Sequence, residues 1–251
     1  MRMKKVLTIA GSDSSGGAGI QADLKTFAAH GAYGMSVITA VTAQNSLGVT
    51  AVQDILPEVI AKQIAAIFDD MGADAVKVGM VSQPETIRVI ADGLKKYLVS
   101  PVVIDPVMIS KSGYHLLQPE AEQVLVEELL PLATVVTPNI PEAEAILQRK
   151  IVELADMEKA ARDIHALGPR AVLLKGGHRS GDATDVFFDG RVCIRLEAPR
   201  VLTKNTHGTG CTLSSAIAAN LAFGMPVADA VVAAKKYITM AIEHALPIGK
   251  G

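Results

Sequence analysis

Ala75-Val-Lys-Val-Gly-Met80, then Pro84-Glu-Thr-Ile-Arg-Val-Ile-Ala-Asp-Gly-Leu-Lys-Lys-Tyr97, then Val102-Val-Ile-Asp-Pro106 form the stretch that sets the architecture. The first and last pieces are short apolar runs without alternation, the pattern of strands buried on both faces. Between them Pro84 opens a helix with Ile87, Ile90 and Leu94 on its inner side. A strand, a helix and a second buried strand pair in parallel through a right-handed crossover.

The cadence extends in both directions. Val6–Ala10 reads as a buried strand ending in Gly11-Ser-Asp13, and the glycine-rich segment Ser14–Asp23 becomes helical through Leu24, Phe27 and Ala28 to His30. Ser36–Thr42 is a β-branched strand with Gln44-Asn45-Ser46 at its tip, and Pro57 opens a helix to Phe68 with Ile60, Ile64 and Ile67 inward. Pro119–Leu129 is helical, and Thr134–Thr137 is a strand stopping at Pro138-Asn139. Pro141 restarts the chain as a helix bearing Glu142 and Glu144, and Asp156–Leu167 is another helix. Ala171–Leu174 is a strand ending in Lys175-Gly-Gly-His178. Asp185–Phe188 and Val192–Leu196 read as a hairpin closed at Asp189-Gly190. Helices Gly208–Phe223 and Val227–His244 close the chain. With no linker, low-complexity segment or repeat, residues 1–251 are expected to form one α/β domain. It should hold a mostly parallel central sheet between two helical layers, extended near its C-terminal part by the antiparallel hairpin.

Composition narrows the function classes. Apolar residues make up 49% and charged residues 20%, a foldable balance. A net charge of −2 without a long basic run argues against nucleic acid as a partner. The apolar run after Met-Arg-Met-Lys-Lys5 is too short for a signal h-region, and no run is long enough to span a bilayer. Cys193 and Cys211 have neither disulfide-framework nor metal-type spacing. The expectation is a soluble protein of the reducing cytosol.

The chemistry concentrates in Lys204-Asn-Thr-His-Gly-Thr-Gly-Cys-Thr-Leu-Ser-Ser-Ala-Ile-Ala-Ala219. Gly208 and Gly210 permit a tight turn, and Leu213, Ala216, Ile217 and Leu221 recur at helical spacing from Cys211 onward. A glycine turn feeding a helix N-terminus aims free N–H groups and the positive dipole end at one spot, an anion site. Cys211 lies in it, and the same field should lower its pKa. The competing reading is a helix entry with a small buried cysteine. The glycines at 11, 16, 17 and 19 miss the dinucleotide fingerprint, and no P-loop pattern occurs. Ligands of such sheets bind beyond the carboxyl ends of the strands, where this reading also places Gln44, Asp105, Asn139 and Lys175.

Seven motifs, in order along the chain, carry a family resemblance: Gly11-Ser-Asp-Ser-Ser-Gly-Gly-Ala-Gly-Ile-Gln-Ala-Asp23, Ala40-Val-Thr-Ala-Gln-Asn45, Lys77-Val-Gly-Met80, Asp105-Pro-Val-Met108, Thr137-Pro-Asn-Ile-Pro-Glu142, Lys175-Gly-Gly-His178 and Asn205-Thr-His-Gly-Thr-Gly-Cys211. Together they resemble the hydroxymethylpyrimidine kinase/phosphomethylpyrimidine kinase family of thiamine biosynthesis, within the ribokinase-like superfamily. The resemblance runs from Val6 to Ala245. It implies a three-layer α/β/α sandwich and ATP-dependent phosphorylation, with Mg²⁺, of 4-amino-5-hydroxymethyl-2-methylpyrimidine and then of its monophosphate. A homodimer is also implied.

The resemblance further implies roles for individual residues. Gly208, Thr209, Gly210 and Cys211 surround the transferring phosphoryl group, with Cys211 as base or hydroxyl-orienting thiol. Asn139 and Glu142 hold phosphates and Mg²⁺, with Asp105 in the same shell or capping a turn; Glu142 alternatively is an ordinary first-turn charge. Lys175, Thr206 and His207 resemble nucleotide-contacting positions, and Lys235 lines the adenine side or is a surface lysine. On the acceptor side stand Gly11, Asp23, Gln44, Met80 and Val107, with Lys111 in a polar flap Ile109–His115 meeting the phosphate of the monophosphate. The Gln44 amide offers the donor and acceptor that a ring nitrogen beside an amine requires. Rival readings are a pyridoxal kinase or dual-specificity vitamin kinase, a non-catalytic vitamin-binding protein, and a cysteine hydrolase.

Overall fold

The structure, a computed structural model, describes residues 2–108, 116–177 and 182–250. Its central sheet has eight strands: β1 (Lys5–Ala10), β2 (Tyr33–Ile38), β5 (Ala75–Val78), β6 (Val102–Ile104), β7 (Val135–Val136), β8 (Val172–Leu174), β9 (Asp185–Phe188) and β10 (Cys193–Leu196). Their order is β10-β9-β8-β7-β6-β5-β1-β2, parallel from β2 to β8 and antiparallel through β9 and β10.

The uninterrupted apolar runs divide between the two faces residue by residue, as the period of two requires. Leu7, Ile9, Val76, Val78, Val102, Ile104, Val136, Val172 and Leu174 pack on one side. There they meet α2 (Pro57–Asp70), α3 (Pro84–Lys96), α5 (Ile140–Leu147) and α6 (Leu154–His165), through Ile60, Ile64, Ile87, Ile90, Ala143 and Ile164. Val6, Ala75, Val103, Val135, Leu173 and Phe187 face the other way. That layer holds α1 (Gly19–Ala29), α7 (Thr209–Ala222) and α8 (Val227–Glu243), through Phe27, Leu213, Ile217, Val231 and Ile238. A three-layer α/β/α sandwich results, as expected.

Three local expectations are corrected. The strand read as Ser36–Thr42 is broken at Thr39. Its N–H bonds the Ala10 carbonyl at 3.0 Å and its hydroxyl the Met80 carbonyl at 2.8 Å, so the backbone turns over the ends of β1 and β5. From there β3 (Ala40–Asn45) and β4 (Gly48–Asp54) leave as a separate antiparallel pair, which periodicity alone had merged with β2. The β9–β10 hairpin exists, but its turn is wider than Asp-Gly: Phe188 pairs with Cys193, and Asp189 Oδ1 accepts from the N–H groups of Arg191 and Val192. The helix expected over Pro119–Leu129 is regular only in α4 (Pro119–Val124) and continues as a π-turn over Leu125–Leu129. None of the helices among the described residues is long and apolar enough to cross a membrane.

One charged residue interrupts the apolar strand β5. Lys77 is fully buried and points into the α1–α7 layer, where its ammonium lies 2.9 Å from Asp23 Oδ2 and 3.0 Å from Oδ1. Asp23 also accepts from Thr8 at 2.6 Å and from Ser215 at 2.7 Å, so β1, α1, β5 and α7 share one polar knot. Burial opposes the Lys77 charge, yet Asp23 above all, then Cys211 and Asp105, hold its pKa above the usual lysine value. Removing one member of such a pair strands the other charge. Lys77→Met should therefore cost about 3–5 kcal/mol of stability, read from chemical denaturation. A loss under about 1 kcal/mol would show that water or a neighbour relieves the pair.

Candidate active site

The strand ends β1, β5, β6, β7 and β8 open on one edge, and α7 points its N-terminus at the same edge. Gly208 starts the helix with φ 78°, and a Cβ there would lie 1.8 Å from the Gly17 carbonyl oxygen, so only glycine fits this turn. In the first turn the N–H groups of Thr209, Gly210 and Cys211 have no intrahelical carbonyl to bond. Thr209 makes a long contact, 3.4 Å, back to the Thr206 carbonyl.

A Cβ on Gly210 would stand 3.4 Å from Lys175 Nζ and 3.5 Å from Asp105 Oδ2, which places the helix start directly over two charged groups. Lys175 Nζ bonds Asp105 Oδ1 at 2.7 Å, and Thr137 donates to the same oxygen at 3.0 Å. The N–H of Lys175 bonds the Pro138 carbonyl at 2.8 Å, and Asn139 bridges to Lys175 in parallel, so the β7 and β8 ends are locked together. Asn139 caps α5: its side chain accepts from the Glu142 N–H at 2.9 Å, and Glu142 accepts from the Asn139 N–H at 2.7 Å. That reciprocal box is why Asn-x-x-Glu starts a helix here. It also turns the Glu142 carboxyl inward, where it is buried.

The charges are shaped by dehydration. Burial pushes Glu142 up to about 7, with Lys175 opposing and the neighbouring Asp105 adding. Asp105 moves the other way: burial works against its charge, but Lys175 and then Lys77 hold it below the ordinary carboxylate value. Burial likewise works against Lys175, and Asp105 followed by Glu142 keeps it above the usual lysine value.

Cys211 departs from expectation. Burial pushes its thiol up to about 11, and Asp23 and Asp105 add to the rise, while Lys77 and the Gly19 N–H only partly offset it. The helix N-terminus was expected to favour thiolate; poor solvation, with Asp23 and Asp105 adding to it, outweighs that field. The residue sits at the site as a thiol at neutral pH.

A second group of residues gathers beside the turn. His207 Nε2 lies 2.8 Å from Asp13 Oδ2, and the Gln44 amide nitrogen lies 3.5 Å from the same His207 atom. The cysteine-hydrolase reading needs a histidine on Cys211, and His207 is committed to Asp13 instead. Gly11 closes against Met80, whose sulfur would be 2.9 Å from a Cβ there. The Val107 N–H is taken by the Asp105 carbonyl at 2.8 Å. Thr206 supplies its carbonyl to the Thr209 hydroxyl at 3.1 Å, inside the turn.

Two expected ligand contacts are placed elsewhere. Asp23 is sealed below the site with both oxygens committed to Lys77, Thr8 and Ser215, so it offers a ligand no exposed atom. Lys235 bonds the Ala183 carbonyl at 2.8 Å and Asp185 at 2.7 Å, anchoring the start of β9. Lys111, the flap Ile109–His115 and His178 lie outside the described residues. Sequence reasoning missed Asp13, Thr42 and Lys77. A lysine inside a continuous apolar strand was the readable signal, because a fully buried lysine demands a paired anion.

A family model described as phosphomethylpyrimidine kinase matches residues 13–251. The chain belongs to the phosphomethylpyrimidine kinase family. It is 57% identical to a hydroxymethylpyrimidine/phosphomethylpyrimidine kinase of Rhizobium meliloti (strain 1021), over 98% of this chain and 93% of that protein. The crystal structure of phosphomethylpyrimidine kinase from Clostridium difficile 630 superposes with a TM-score of 0.86 at 54% identity, covering 95% of this chain and 99% of that one. The pyridoxal kinase from Staphylococcus aureus, in complex with AMP-PCP and pyridoxal, superposes with a TM-score of 0.91 at 35% identity, covering 100% of this chain and 91% of that one. The ribokinase-like fold is shared with both, so topology alone does not separate a phosphomethylpyrimidine kinase from a pyridoxal kinase.

The raised thiol pKa has a direct readout. In a Cys193→Ser background, iodoacetamide alkylation of Cys211 should climb about tenfold per pH unit from pH 7 towards its pKa of about 11, followed by mass spectrometry. A plateau already reached near pH 7 would mean that the helix field prevails over burial.

Proposed function

We propose that the chain transfers the γ-phosphoryl group of ATP, with Mg²⁺, to the hydroxymethyl group of 4-amino-5-hydroxymethyl-2-methylpyrimidine and then to the resulting monophosphate. The observation carrying this reading is the meeting of the α7 N-terminus with Lys175 and Asp105 at the strand ends. Phosphoryl transfer asks mainly for positioning and for stabilised charge. The first-turn N–H groups of Thr209, Gly210 and Cys211 at the Gly208 turn supply fixed donors for the equatorial oxygens. Lys175 adds a charge that can exchange Asp105 for a phosphate oxygen.

The donor set fits magnesium of the loosely held kind. Glu142 and Asp105 offer hard carboxylate oxygens, and among the described residues no cluster of three or more His, Cys, Asp or Glu forms a dedicated cage. A small cation that keeps its waters and borrows phosphate oxygens needs no more than that. Bound there, it would neutralise phosphate charge. Asn139 fixes the Glu142 carboxyl through the capping box, and Thr137 fixes Asp105.

Cys211 stands where the acceptor hydroxyl should lie, and as a thiol it orients that hydroxyl. A loose transition state requires little proton removal before the phosphoryl group moves. Gln44 reads the amidine edge of the pyrimidine, and Gly11, Met80 and Val107 line the ring. His207 and Thr206 serve by holding the turn. We also read residues 1–251 as one kinase domain acting as a homodimer in the cytoplasm; Cys193 and Cys211 are both free, which suits a reducing compartment. The shared fold with a pyridoxal kinase supports a second reading, in which pyridoxal is also accepted.

Incubation with ATP, Mg²⁺ and the pyrimidine alcohol should yield mono- and diphosphate by product analysis, with kcat/KM above that for pyridoxal. No product from either alcohol would sink the kinase reading. Cys211→Ala should lower kcat by about a hundredfold, the cost of a misoriented hydroxyl, while the alcohol still binds by calorimetry. Near-normal turnover would remove Cys211 from the reaction.

A further inference from the structure

We propose that Thr42 and His207 fix which way round the Gln44 amide stands, and thereby the sense in which the site reads an amino-substituted ring. The inference rests on the reading of Gln44 as the acceptor contact. Gln44 projects from β3 between two partners: its Oε1 is 3.2 Å from Thr42 Oγ1, and its Nε2 is 3.5 Å from His207 Nε2.

Proton accounting decides what those partners can be. The buried Asp13 carboxyl takes hydrogen bonds from Ser15 N–H and hydroxyl on Oδ1, and from the Gly17 and Ala18 N–H groups on Oδ2. Burial opposes its ionisation, but these donors and His207 outweigh it and keep the carboxyl below the ordinary range. An ionised carboxylate only accepts. His207 Nε2, at 2.8 Å from Oδ2, therefore carries a hydrogen in either protonation state; that hydrogen is spent on Asp13, and the nitrogen keeps no lone pair with which to accept from Gln44. Thr42 has one hydroxyl hydrogen, and the Ser12 carbonyl takes it at 2.8 Å. Thr42 thus faces Gln44 as an acceptor.

With Nε2 towards His207, the amide N–H faces a nitrogen that cannot accept, and on the other side two acceptors meet. A half-turn of the amide exchanges its two near-isosteric ends and resolves both conflicts at once. Nε2 then donates to Thr42, and Oε1 faces the His207 N–H. Thr42 selects this orientation by accepting, and His207 excludes the other because its Nε2 has nothing to accept with.

The consequence is directional. One hydrogen of Nε2 remains free on the Thr42 side, and a lone pair of Oε1 remains free on the His207 side. A ring bearing an amine beside a ring nitrogen matches this in one sense only: amine towards His207, ring nitrogen towards Thr42. A ring without the amine leaves the Oε1 lone pair without a donor, the kind of mismatch that discriminates strongly. Thr42 and His207 are positioning residues, since neither needs to touch the ring.

The test compares kcat/KM for the aminopyrimidine alcohol and for the same alcohol lacking the amine. Gln44→Met should abolish the preference for the amine. Thr42→Val, which keeps the shape and loses the acceptor, should reduce that preference about fivefold, the worth of one net hydrogen bond. Thr42→Ser should restore it. If Gln44→Met loses the preference while Thr42→Val keeps it, the orienting role is overturned and the contact survives. If Gln44→Met keeps the wild-type preference, both fall. Independently of turnover, the Gln44 amide protons of the free enzyme should show nuclear Overhauser contacts to the Thr42 side chain; contacts to the His207 ring instead would overturn the proposal.

Discussion

A lysine and an aspartate sealed from water beneath α7 set the geometry on which the catalytic edge depends. Lys77 and Asp23 are each fully buried; Lys77 bonds both oxygens of Asp23, and Asp23 adds the hydroxyls of Thr8 and Ser215 in place of its hydration. Desolvation of such ions costs several kcal/mol each, so the pair is tolerated only with near-ideal geometry. Ser215, one helical turn beyond Cys211, is drawn into the same knot. The helix is thereby fixed in rotation as well as in position, and the side of its first turn that bears Cys211 is fixed with it. An apolar pair would pack as well without fixing that rotation, because hydrophobic contact carries no direction.

Burial explains the behaviour of the thiol, and the same charges modify it. A helix N-terminus contributes of the order of half a positive charge and acts within one turn. The sulfur has little water to stabilise a thiolate, and the charges of Asp23 and Asp105 add to that opposition. Lys77 acts in the thiolate's favour, but its charge is largely spent on Asp23. Proton abstraction by a preformed thiolate is thus not what the site is built for. A fixed donor turn, a lysine and two carboxylates match a reaction whose barrier lies in phosphoryl charge rather than in deprotonation.

How much of this was legible in the sequence follows from the range of each interaction. The strand–helix cadence and the proline-opened helices were readable because periodicity and φ restriction are local. The glycine turn at Gly208 and the capping box at Asn139 were readable for the same reason. Thr39 breaks its strand through bonds to Ala10 and Met80, partners that no window around residue 39 contains. Asp23 looked like a ligand contact by motif and is a buried counterion by topology. The direction of the Cys211 shift is set first by burial, with Asp23 and Asp105, 188 and 106 positions away in the chain, adding to it against Lys77. Residue type foretold a perturbed thiol, and only the burial that the folded chain imposes gave its sign.

The proposed acceptor reader and the proposed transfer machinery stand on different supports. Asp105, Asn139 and Lys175 sit on strand ends backed by the full sheet, whereas Gln44 sits on β3 of the separate hairpin. That hairpin is tied down at its base, where Ser12 N–H bonds the Ala40 carbonyl at 2.8 Å and Ser14 exchanges bonds with the Gln44 backbone. Its outer residues face water, and Val41 and Leu47 are exposed. Changing what the hairpin reads therefore disturbs little apolar packing. Changing a strand-end charge disturbs a desolvated network in which every member holds another. Selectivity for the ring is free to vary on such a frame while the phosphoryl site stays fixed, and Asp13, bonded to both the glycine-rich loop and His207, keeps the two in register.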